Sequence, residues 1–385
     1  MVGMRDVAKR AGVSLSTVSL TVNGNGYVAD ETRARIEAAM AELHYVPNDL
    51  ARSLSQGRTN LIGVTVPTVA HPFFAQLVAA LQRRLHRSGL RMMLCSTADQ
   101  DRGETEYIDM LKRRTMDGII IGSHTSQPPA YWESIGRPIV AFDRFLGGNI
   151  PSVCSDHVTG AHLAARRFID TGVRHVVEVG GPRSQFHDLA GSSEAGGPNG
   201  ESFASVMSAV TDPDDTTFPT VRYHRTFERD LADAGIRCDY VTVEQVSDLS
   251  LFEQAAEEAV RRFPDADAII APDLAAAHCV RIALADGRDI PRDLQIIAYD
   301  GTAAAGLAGM RLTVIRQNLD AIADHLVERM RDAIAAENDA DAHGAGSVPS
   351  ASPVVAGSLP EASSPVVAAS CDLIPVTLVQ GDTTR

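Results

Sequence analysis

The chain has 385 residues, which is enough for two or three domains of ordinary size, each with its own core. With 44% hydrophobic and 22% charged residues, its composition excludes a wholly disordered or fibrous protein. The formal net charge of −14 argues against nucleic-acid binding, because proteins that bind nucleic acids typically carry an overall basic excess.

The charge is distributed unevenly along the chain. Residues 1–60 contain seven Lys/Arg and six Asp/Glu, so this segment carries +1 and the remainder carries −15. A difference of this kind is a weak indication of a nucleic-acid-binding head on an acidic body.

The sequence shows no pattern for export, membrane insertion or a disulfide framework. No apolar run approaches the roughly 20 residues that cross a bilayer, and the first ten residues carry charges where a signal peptide has its apolar segment. We therefore expect a cytoplasmic protein without a membrane partner. Five cysteines, odd in number and far apart, favour reduced thiols, and they are Cys95, Cys154, Cys238, Cys279 and Cys371.

The first 60 residues predict three short helices. Ser14 is a candidate N-cap for the second helix, the Asn-Gly-Asn-Gly run at 23–26 is a loop by composition, and Pro47 ends the unit. The predicted helices are 4–10, 15–22 and 30–43.

Small and apolar residues in this segment have the spacing of a helix-turn-helix. Ala8 lets two helices approach closely, Gly12 allows the turn, and Val18 completes a small core. The second helix would present its outer face to the major groove of DNA. The side chains on that face are Leu15, Ser16, Ser19 and Leu20. A helical hairpin used only for packing has the same spacing and stays open as an alternative.

From residue 61 onward, short apolar runs alternate with amphipathic stretches, which predicts two α/β lobes with parallel, doubly wound sheets. The predicted strands are 61–66, 91–95, 118–121, 138–142, 175–179, 240–243, 268–270, 294–298 and 374–379. The predicted helices are 75–88, 102–113, 161–170, one ending at 230–234, 252–263, 275–286 and 319–335. Residues 184–221 and 338–370, rich in small and polar residues, are predicted insertions, and we expect the second to be disordered.

Charged side chains follow several of these strands. Asp143, Arg144, Asp273 and Asp300 each follow the end of a predicted strand within three residues, so they should meet at the carboxyl edges of the sheets. Carboxylates and guanidinium groups there suit hydroxyl-rich ligands, because they form directional, charge-assisted hydrogen bonds. Each residue taken alone is more often a loop residue or a helix cap.

Motifs of enzymes and metal sites are not found. The run GGPNGES lacks the lysine of a P-loop, and neither H-E-x-x-H nor G-x-S-x-G occurs. His71, His124, His157 and His187 have no metal-ligand spacing and are predicted to be surface or loop histidines. We therefore expect no catalytic residue, no metal and no cofactor, and an enzyme on an α/β core is the weaker alternative.

Residues 4–64, beginning MRDVAKRAGVS, resemble the head of LacI-family transcriptional regulators. The likeness continues through HPFFAQLV, DGIIIG, PIVAFDR, SDHVTGA, AIIAPD, IIAYD and LTVIRQN, and it covers the chain apart from the two insertions. It implies an N-terminal all-α helix-turn-helix head plus an α/β periplasmic-binding-protein-like core of two doubly wound lobes. The implied domains are a DNA-binding domain at 1–46, a hinge helix and linker at 47–58, and an effector-binding core at 59–385. The implied N-lobe is about 59–155 and 318–337, and the C-lobe is about 156–317 and 371–385.

The resemblance also implies DNA contacts. The base-reading positions are Leu15, Ser16 and Leu20. The positions that contact phosphates or support the head are Thr17, Ser19, Asn23, Tyr27, Thr32 and Tyr45. The hinge positions are Asn48, Ala51 and Leu54, of which Leu54 would wedge into the minor groove. Leu20 stands where the family usually has an arginine, so guanine readout should give way to apolar contact, for example with a thymine methyl group. Ala29 stands where a serine cap is usual.

A small molecule is implied between the lobes. Pro272 replaces a usual asparagine, and Tyr223 stands where the family has a pocket arginine, so the effector could differ from the commonest type. Phe73 and Phe74 fit either stacking on a ring or packing at a helix start. The implied effector-binding residues are Phe73, Phe74, Asp143, Arg144, Arg222, Asp273, Asp300 and Gln317.

Together these features predict a homodimeric transcriptional repressor. Its partners would be double-stranded operator DNA, a small-molecule effector such as a sugar, and a second copy of the chain. Effector binding would change operator affinity, in a direction that the sequence leaves open. A sugar-binding protein without DNA function remains the other alternative.

Overall fold

The computed structural model describes residues 2–23, 26–46, 58–97, 104–123, 127–183, 219–344 and 371–385. The chain divides into two compact units, Met1–Asn60 and Leu61–Arg385. The predicted hinge positions Asn48, Ala51 and Leu54 lie outside the described residues, as does most of each predicted insertion.

The first unit is a three-helix head with a small apolar core. Helices α1 (Met4–Ala11), α2 (Leu15–Asn23) and α3 (Asp30–Glu42) form where helical spacing predicts them. Each helix turns its apolar stripe toward the other two, which removes those side chains from water. The buried core residues are Val7, Ala8, Val18, Ile36 and Ala39.

The turn between α1 and α2 has the predicted local chemistry. Gly12 has a φ of +66°, a left-handed conformation that glycine adopts without a clash from a Cβ. The Ser14 hydroxyl accepts a hydrogen bond from Thr17 N at 3.1 Å and so caps α2. Ala29 provides no side-chain cap for α3, which costs about 1 kcal/mol relative to serine.

The second unit contains two six-stranded sheets and their covering helices. The strands are β1 Leu61–Val66, β2 Arg91–Ser96, β3 Gly118–Ile121, β4 Ile139–Phe142, β5 Ser152–Ser155, β6 His175–Gly180, β7 Arg237–Thr242, β8 Ala268–Pro272, β9 Gln295–Asp300, β10 Thr313–Arg316, β11 Cys371–Ile374 and β12 Thr377–Val379. The helices are α4 Pro72–Arg87, α5 Thr105–Lys112, α6 Pro129–Glu133, α7 His157–Asp170, α8 Pro219–Asp233, α9 Ser250–Arg261, α10 Asp273–Ala285 and α11 Leu319–Gly344.

Each sheet forms the centre of one lobe. The first has the order β11-β5-β4-β3-β1-β2, with every neighbouring pair parallel. The second has the order β12-β10-β9-β8-β6-β7, parallel except for β10 with β12. Ile120 packs in one apolar cluster while Ile119 and Ile121 pack in another, so both faces of β3 are covered. The predicted fold class is therefore confirmed.

The C-terminal segment differs from the prediction. The sequence predicts one strand over 374–379 and places 371–385 in the second lobe. Instead, β11 pairs with β5 in the first sheet, and β12 pairs with β10 in the second. Pro375 stands between the two strands and has no N–H group with which to continue a ladder.

The predicted strict alternation also fails at two strands. No helix separates β4 from β5, and only the short 3-10 helix Ala303–Leu307 separates β9 from β10. Strands β5 and β10 have four residues each, with polar residues at both ends. Such short segments do not show a hydrophobic period, so the sequence does not predict them as strands. The chain crosses between the lobes after β5, β10 and β11, which brings these three segments together. None of the described helices is long and apolar enough to cross a membrane.

Candidate functional site

The exposed face of α2 is the candidate DNA-reading surface of the head. Leu15 is 42% exposed and Leu20 is 39% exposed, and Ser16 is exposed on the same helix. Val18 is fully buried against the other helices, which fixes the rotation of α2 about its axis. The predicted base-reading side chains are therefore all accessible.

Hydrogen bonds hold polar side chains at both ends of α2. The Oγ atom of Ser14 lies 2.7 Å from Ser16 Oγ and 2.7 Å from Thr17 Oγ1. Near the other end, Asn23 Nδ2 donates to Ser19 Oγ at 3.1 Å. These contacts limit the rotamers of groups that can bind phosphate oxygens or base edges.

The remaining expected phosphate contacts differ in exposure. Tyr27 is 92% exposed, Thr32 is half-buried, and Tyr45 packs against the head core. Arg10 of α1 pairs with Glu42 of α3, so part of the positive charge of the head is balanced internally.

A cavity of about 410 Å³ lies between the two lobes of the second unit. Residues that follow β1, β3 and β4 line it from the first lobe, and residues that follow or end β6, β7, β8 and β9 line it from the second. Doubly wound sheets open crevices at these carboxyl ends. Six expected effector residues line the cavity, namely Phe73, Phe74, Asp143, Arg144, Asp300 and Gln317.

Aromatic rings form a large part of the cavity wall. Phe73 stacks on Phe142 with ring centroids 5.9 Å apart and is only 5% exposed, so it mainly packs. Phe74 is half-buried, which makes it the better candidate of the pair for stacking on a ligand. His71 of the first lobe lies 5.3 Å from Phe252 of the second, centroid to centroid, so the lobes touch beside the cavity.

His71 is a cap rather than a charged ligand contact. Its Nδ1 accepts a hydrogen bond from Phe73 N at 3.3 Å at the start of α4. Burial lowers the pKa of His71 to about 4, so the ring is neutral near pH 7.

Asp143 presents one carboxylate oxygen to the cavity side. It follows β4 with a φ of +46°, an uncommon conformation for a residue with a Cβ. Its Oδ1 lies 3.1 Å from Ser155 N and 3.1 Å from His157 Nε2. No hydrogen-bond partner of its Oδ2 is found among the described residues, so this oxygen can accept from a ligand.

His157 joins the lobes at the base of the cavity. Its Nε2 binds Asp143 of the first lobe, and its Nδ1 lies 2.7 Å from the hydroxyl of Tyr299 in the second. The side chain is 3% exposed, so the prediction of a surface or loop histidine is wrong. Its position directly after a strand, in the run SDHVTGA, is the signal that could have identified it.

Asp300 belongs to a second polar chain across the lobes. Gln317 Nε2 donates to Asp300 Oδ1 at 2.7 Å, and the Ser155 hydroxyl donates to Gln317 Oε1 at 2.5 Å. Burial raises the pKa of Asp300 well above its usual range, and the nearby carboxylates of Asp273 and Asp143 raise it further. The neutral carboxyl group is therefore favoured at this position.

Two expected effector residues do not line the cavity. Asp273 is 2% exposed, and its carboxylate accepts hydrogen bonds from Gly301 N at 3.2 Å, Thr302 Oγ1 at 2.6 Å and Thr302 N. It therefore holds the loop after β9. Arg222 is 8% exposed on α8, while its neighbours Val221 and Tyr223 line the cavity. Asp273 and Arg222 were expected as effector contacts, and neither is among the residues that line this cavity.

Arg144 lines the cavity with its guanidinium held by the backbone. Its Nε donates to Ser123 O at 3.2 Å, and its Nη1 donates to Asp143 O at 2.6 Å. Both hydrogen bonds go to backbone carbonyls, and they hold the guanidinium group in place at the cavity wall.

His224 is a further lining residue that the sequence did not reveal. Its Nδ1 lies 2.7 Å from Oε1 of Glu178, which is fully buried, and burial raises the pKa of that carboxyl group. The Tyr240 hydroxyl donates to Gly181 O at 2.7 Å and holds the adjacent loop. In the described part of the chain, no group of three or more His, Cys, Asp or Glu side chains is arranged to hold a metal ion.

Comparison with known proteins agrees with this division of the chain. Residues 3–48 match bacterial regulatory proteins of the lacI family. Residues 59–192 match the periplasmic binding proteins and sugar binding domain of the LacI family, and residues 201–358 match a periplasmic binding protein-like domain.

Curated relatives span most of the chain. The sucrose operon repressor of Pediococcus pentosaceus is 32% identical over 338 residues, covering 86% of this chain and 93% of that protein. The ribose operon repressor of Bacillus subtilis is 33% identical over 319 residues, covering 82% and 87%.

Solved structures show the same fold. The Lac repressor dimer bound to operator and the anti-inducer ONPF aligns with a TM-score of 0.73 at 21% identity, covering 100% of this chain and 99% of that one. The complex of the transcriptional regulator CelR with cellobiose aligns with a TM-score of 0.61 at 22% identity, covering 100% of both chains.

Proposed function

This chain belongs to the LacI family of bacterial regulatory proteins, and on that basis we propose that it represses catabolic or uptake genes as a homodimer on operator DNA. The chain carries both an exposed α2 surface in the head and a cavity with polar side chains between the two lobes of the core, and this combination supports the proposal. The protein would act in the cytoplasm, where its DNA is located.

In the head, α2 enters the major groove. Leu15, Ser16 and Leu20 face base edges, where apolar contact with thymine methyl groups replaces bidentate guanine readout at Leu20. Phosphate contacts and support of the head come from Thr17, Ser19, Asn23, Tyr27, Thr32 and Tyr45. The hinge positions Asn48, Ala51 and Leu54 bind the minor groove, with Leu54 as the wedge.

In the core, the effector is a neutral polyhydroxylated molecule such as a sugar. Asp143 uses Oδ1 within the protein and offers Oδ2 to ligand hydroxyl donors. The Asp300 carboxyl group accepts from Gln317 through Oδ1 and, when protonated, can donate its own proton to a ligand oxygen. Phe74 offers an apolar face for the C–H side of a ring, and Arg144 and Gln317 complete the polar base. The relatives named for sucrose and ribose operons favour the same class of ligand.

Effector binding and operator binding are linked through the lobes. A ligand that binds Asp143 and Asp300 together favours the closed arrangement of the lobes. The resulting change in operator affinity is limited by the difference between the ligand's affinities for the closed and the open arrangement. We infer a regulator rather than an enzyme, because the chain matches LacI-family regulators over most of its length.

A thermal-shift panel of D-ribose, sucrose and cellobiose on the full-length protein, followed by operator binding in fluorescence anisotropy, tests this function. At least one sugar should raise Tm and change operator affinity, and Asp143→Ala should abolish both effects. The control Glu257→Gln alters an exposed acid of α9 and should change neither. An operator affinity that no Tm-shifting sugar alters would refute the linkage.

A further inference from the structure

Two thiols lie side by side on neighbouring strands of the first sheet. Cys154 is in β5 and Cys371 begins β11, 217 positions later in the chain, and their Sγ atoms are 3.6 Å apart. β5 and β11 pair in parallel, with Cys371 opposite Ser152. Side chains two positions apart on a strand share one face, so Cys154 and Cys371 project from the same face of the sheet.

The two thiols differ in exposure and acidity. Cys154 is 2% exposed, whereas Cys371 is half-buried and open to a small reagent. The hydrogen bond with Cys154 lowers the pKa of Cys371 to about 7, assisted by Ser152 and the charge of Arg222. The same hydrogen bond and burial raise the pKa of Cys154. Near neutral pH part of the Cys371 population is therefore a reactive thiolate beside the protonated thiol of Cys154.

The other three cysteines lack these features. Burial raises the pKa of both Cys95 and Cys279 to about 12. Burial also raises the pKa of Cys238, whose Sγ has a backbone carbonyl, Asp239 O, at 3.9 Å as its hydrogen-bond partner. The contrast makes oxidation at Cys371 selective.

The strand that carries Cys371 is anchored but short. Asp372 accepts from Arg329 Nε at 2.8 Å and from Arg329 Nη2 at 2.6 Å, which ties β11 to α11. An S–S bond requires the sulfurs to approach by roughly 1.5 Å, and the strand that would have to move is β11, which has four residues at a sheet edge.

We propose that Cys154 and Cys371 form a dithiol site that hydroperoxides convert to an intramolecular disulfide. The Cys371 thiolate attacks one peroxide oxygen, the O–O bond breaks, and the leaving hydroxide takes a proton to form water. The Cys154 sulfur then attacks the sulfenic sulfur, its proton leaves with the displaced hydroxide as a second water, and the S–S bond forms. The two sulfurs lose two electrons, which reduce one hydrogen peroxide to two waters.

The crosslink would fasten β11 to β5 near the base of the cavity. Ser155, which follows Cys154, donates its N–H to Asp143 and its hydroxyl to Gln317. Oxidation therefore acts on the segment where the chain crosses between the lobes, independently of which effector the cavity binds.

Titration of the full-length protein with hydrogen peroxide tests the site. Thiol counting after denaturation should show loss of two of the five thiols, and peptide mass spectrometry should show a Cys154–Cys371 link. Cys371→Ser should retain its four thiols at the same dose, while the control Cys238→Ser should still form the link. In Cys154→Ser, dimedone should label Cys371 as the trapped sulfenic acid.

Three results would overturn the proposal. They are loss of thiols without the Cys154–Cys371 link, equal oxidation of all cysteines, and a link in the wild type that requires prior denaturation. Because the readout is covalent and needs neither DNA nor effector, its failure would leave the proposed function untouched.

Discussion

His157 joins Asp143 of one lobe to Tyr299 of the other, with nitrogen–oxygen distances of 3.1 Å and 2.7 Å. All three side chains line the cavity. A ligand that binds Asp143 therefore contacts a carboxylate that is already linked to the second lobe through His157. This relationship makes His157 a positioning residue for the carboxylate.

Replacing this histidine should weaken effector binding. His157→Phe keeps an aromatic ring but removes one of the two hydrogen bonds of Asp143 Oδ1 and takes the partner from the Tyr299 hydroxyl, at a cost of about 1–3 kcal/mol. We expect a lower Tm and a loss of sugar affinity of at least about tenfold by calorimetry. His162→Phe on the same helix is the control, because His162 is exposed and its partner among the described residues is Asp230. Unchanged sugar affinity in His157→Phe would remove His157 from this role.

The buried carboxyl group of Asp300 should make stability depend on pH. Its folded pKa is raised above the unfolded value of about 3.9, so the stability linked to its neutral form is lost as pH rises through the folded pKa. Asp300→Asn has no charge to bury and keeps an oxygen for Gln317. Its Tm should exceed that of the wild type by a margin that grows from about pH 5 to about pH 8, measured by scanning fluorimetry. A margin independent of pH would contradict this account, and Glu257→Gln serves as the surface control.

Leu20 on α2 should determine one base of the operator. Leu20→Arg places a guanidinium on an exposed position, and bidentate contact with guanine should shift the preferred base at one site by about 1–3 kcal/mol. Selection from a randomised operator library, followed by anisotropy, measures the shift. The control Val18→Ala should lower the Tm of the head, because Val18 is fully buried, without changing the preferred base. An identical selected operator for Leu20→Arg and wild type would refute the assignment.

Leu54 should be needed for operator binding and not for effector binding. Leu54→Ala removes the proposed minor-groove wedge, so the kinked complex loses the contact that holds it open. We expect a loss of specific operator affinity with an unchanged sugar-induced shift in Tm. Leu307→Ala is the control, since Leu307 lies in the effector-binding unit and its side chain is 85% exposed. Full operator affinity in Leu54→Ala would exclude the wedge.

Local chemistry explains what could be predicted for the head. Ala8, Gly12 and Val18 lie within a few turns of one another, so their spacing predicts the helices and the turn. Ser14 and Ala29 likewise act on the nearest helix ends. Ser14 caps α2 through its hydroxyl, whereas Ala29 provides no side-chain cap for α3.

The cavity could be predicted only in part. Asp143 and Asp300 end parallel strands, and the carboxyl ends of such strands converge, so their meeting follows from the pattern. Asp273 has the same pattern, but its carboxylate accepts hydrogen bonds from Gly301 and Thr302. No neighbouring residue in the sequence distinguishes Asp273 from Asp143 and Asp300.

The three-helix head, the alternating lobes and the strand ends that face the cleft can be predicted from the amino-acid sequence, because each depends on residues close together in the chain. The separation of β11 from β12 at Pro375, the bridge that His157 forms between the lobes and the 3.6 Å distance between Cys154 and Cys371 become visible only in the folded chain. These contacts join residues up to 217 positions apart. The packing of whole lobes sets such distances, and no period or spacing along the chain records them.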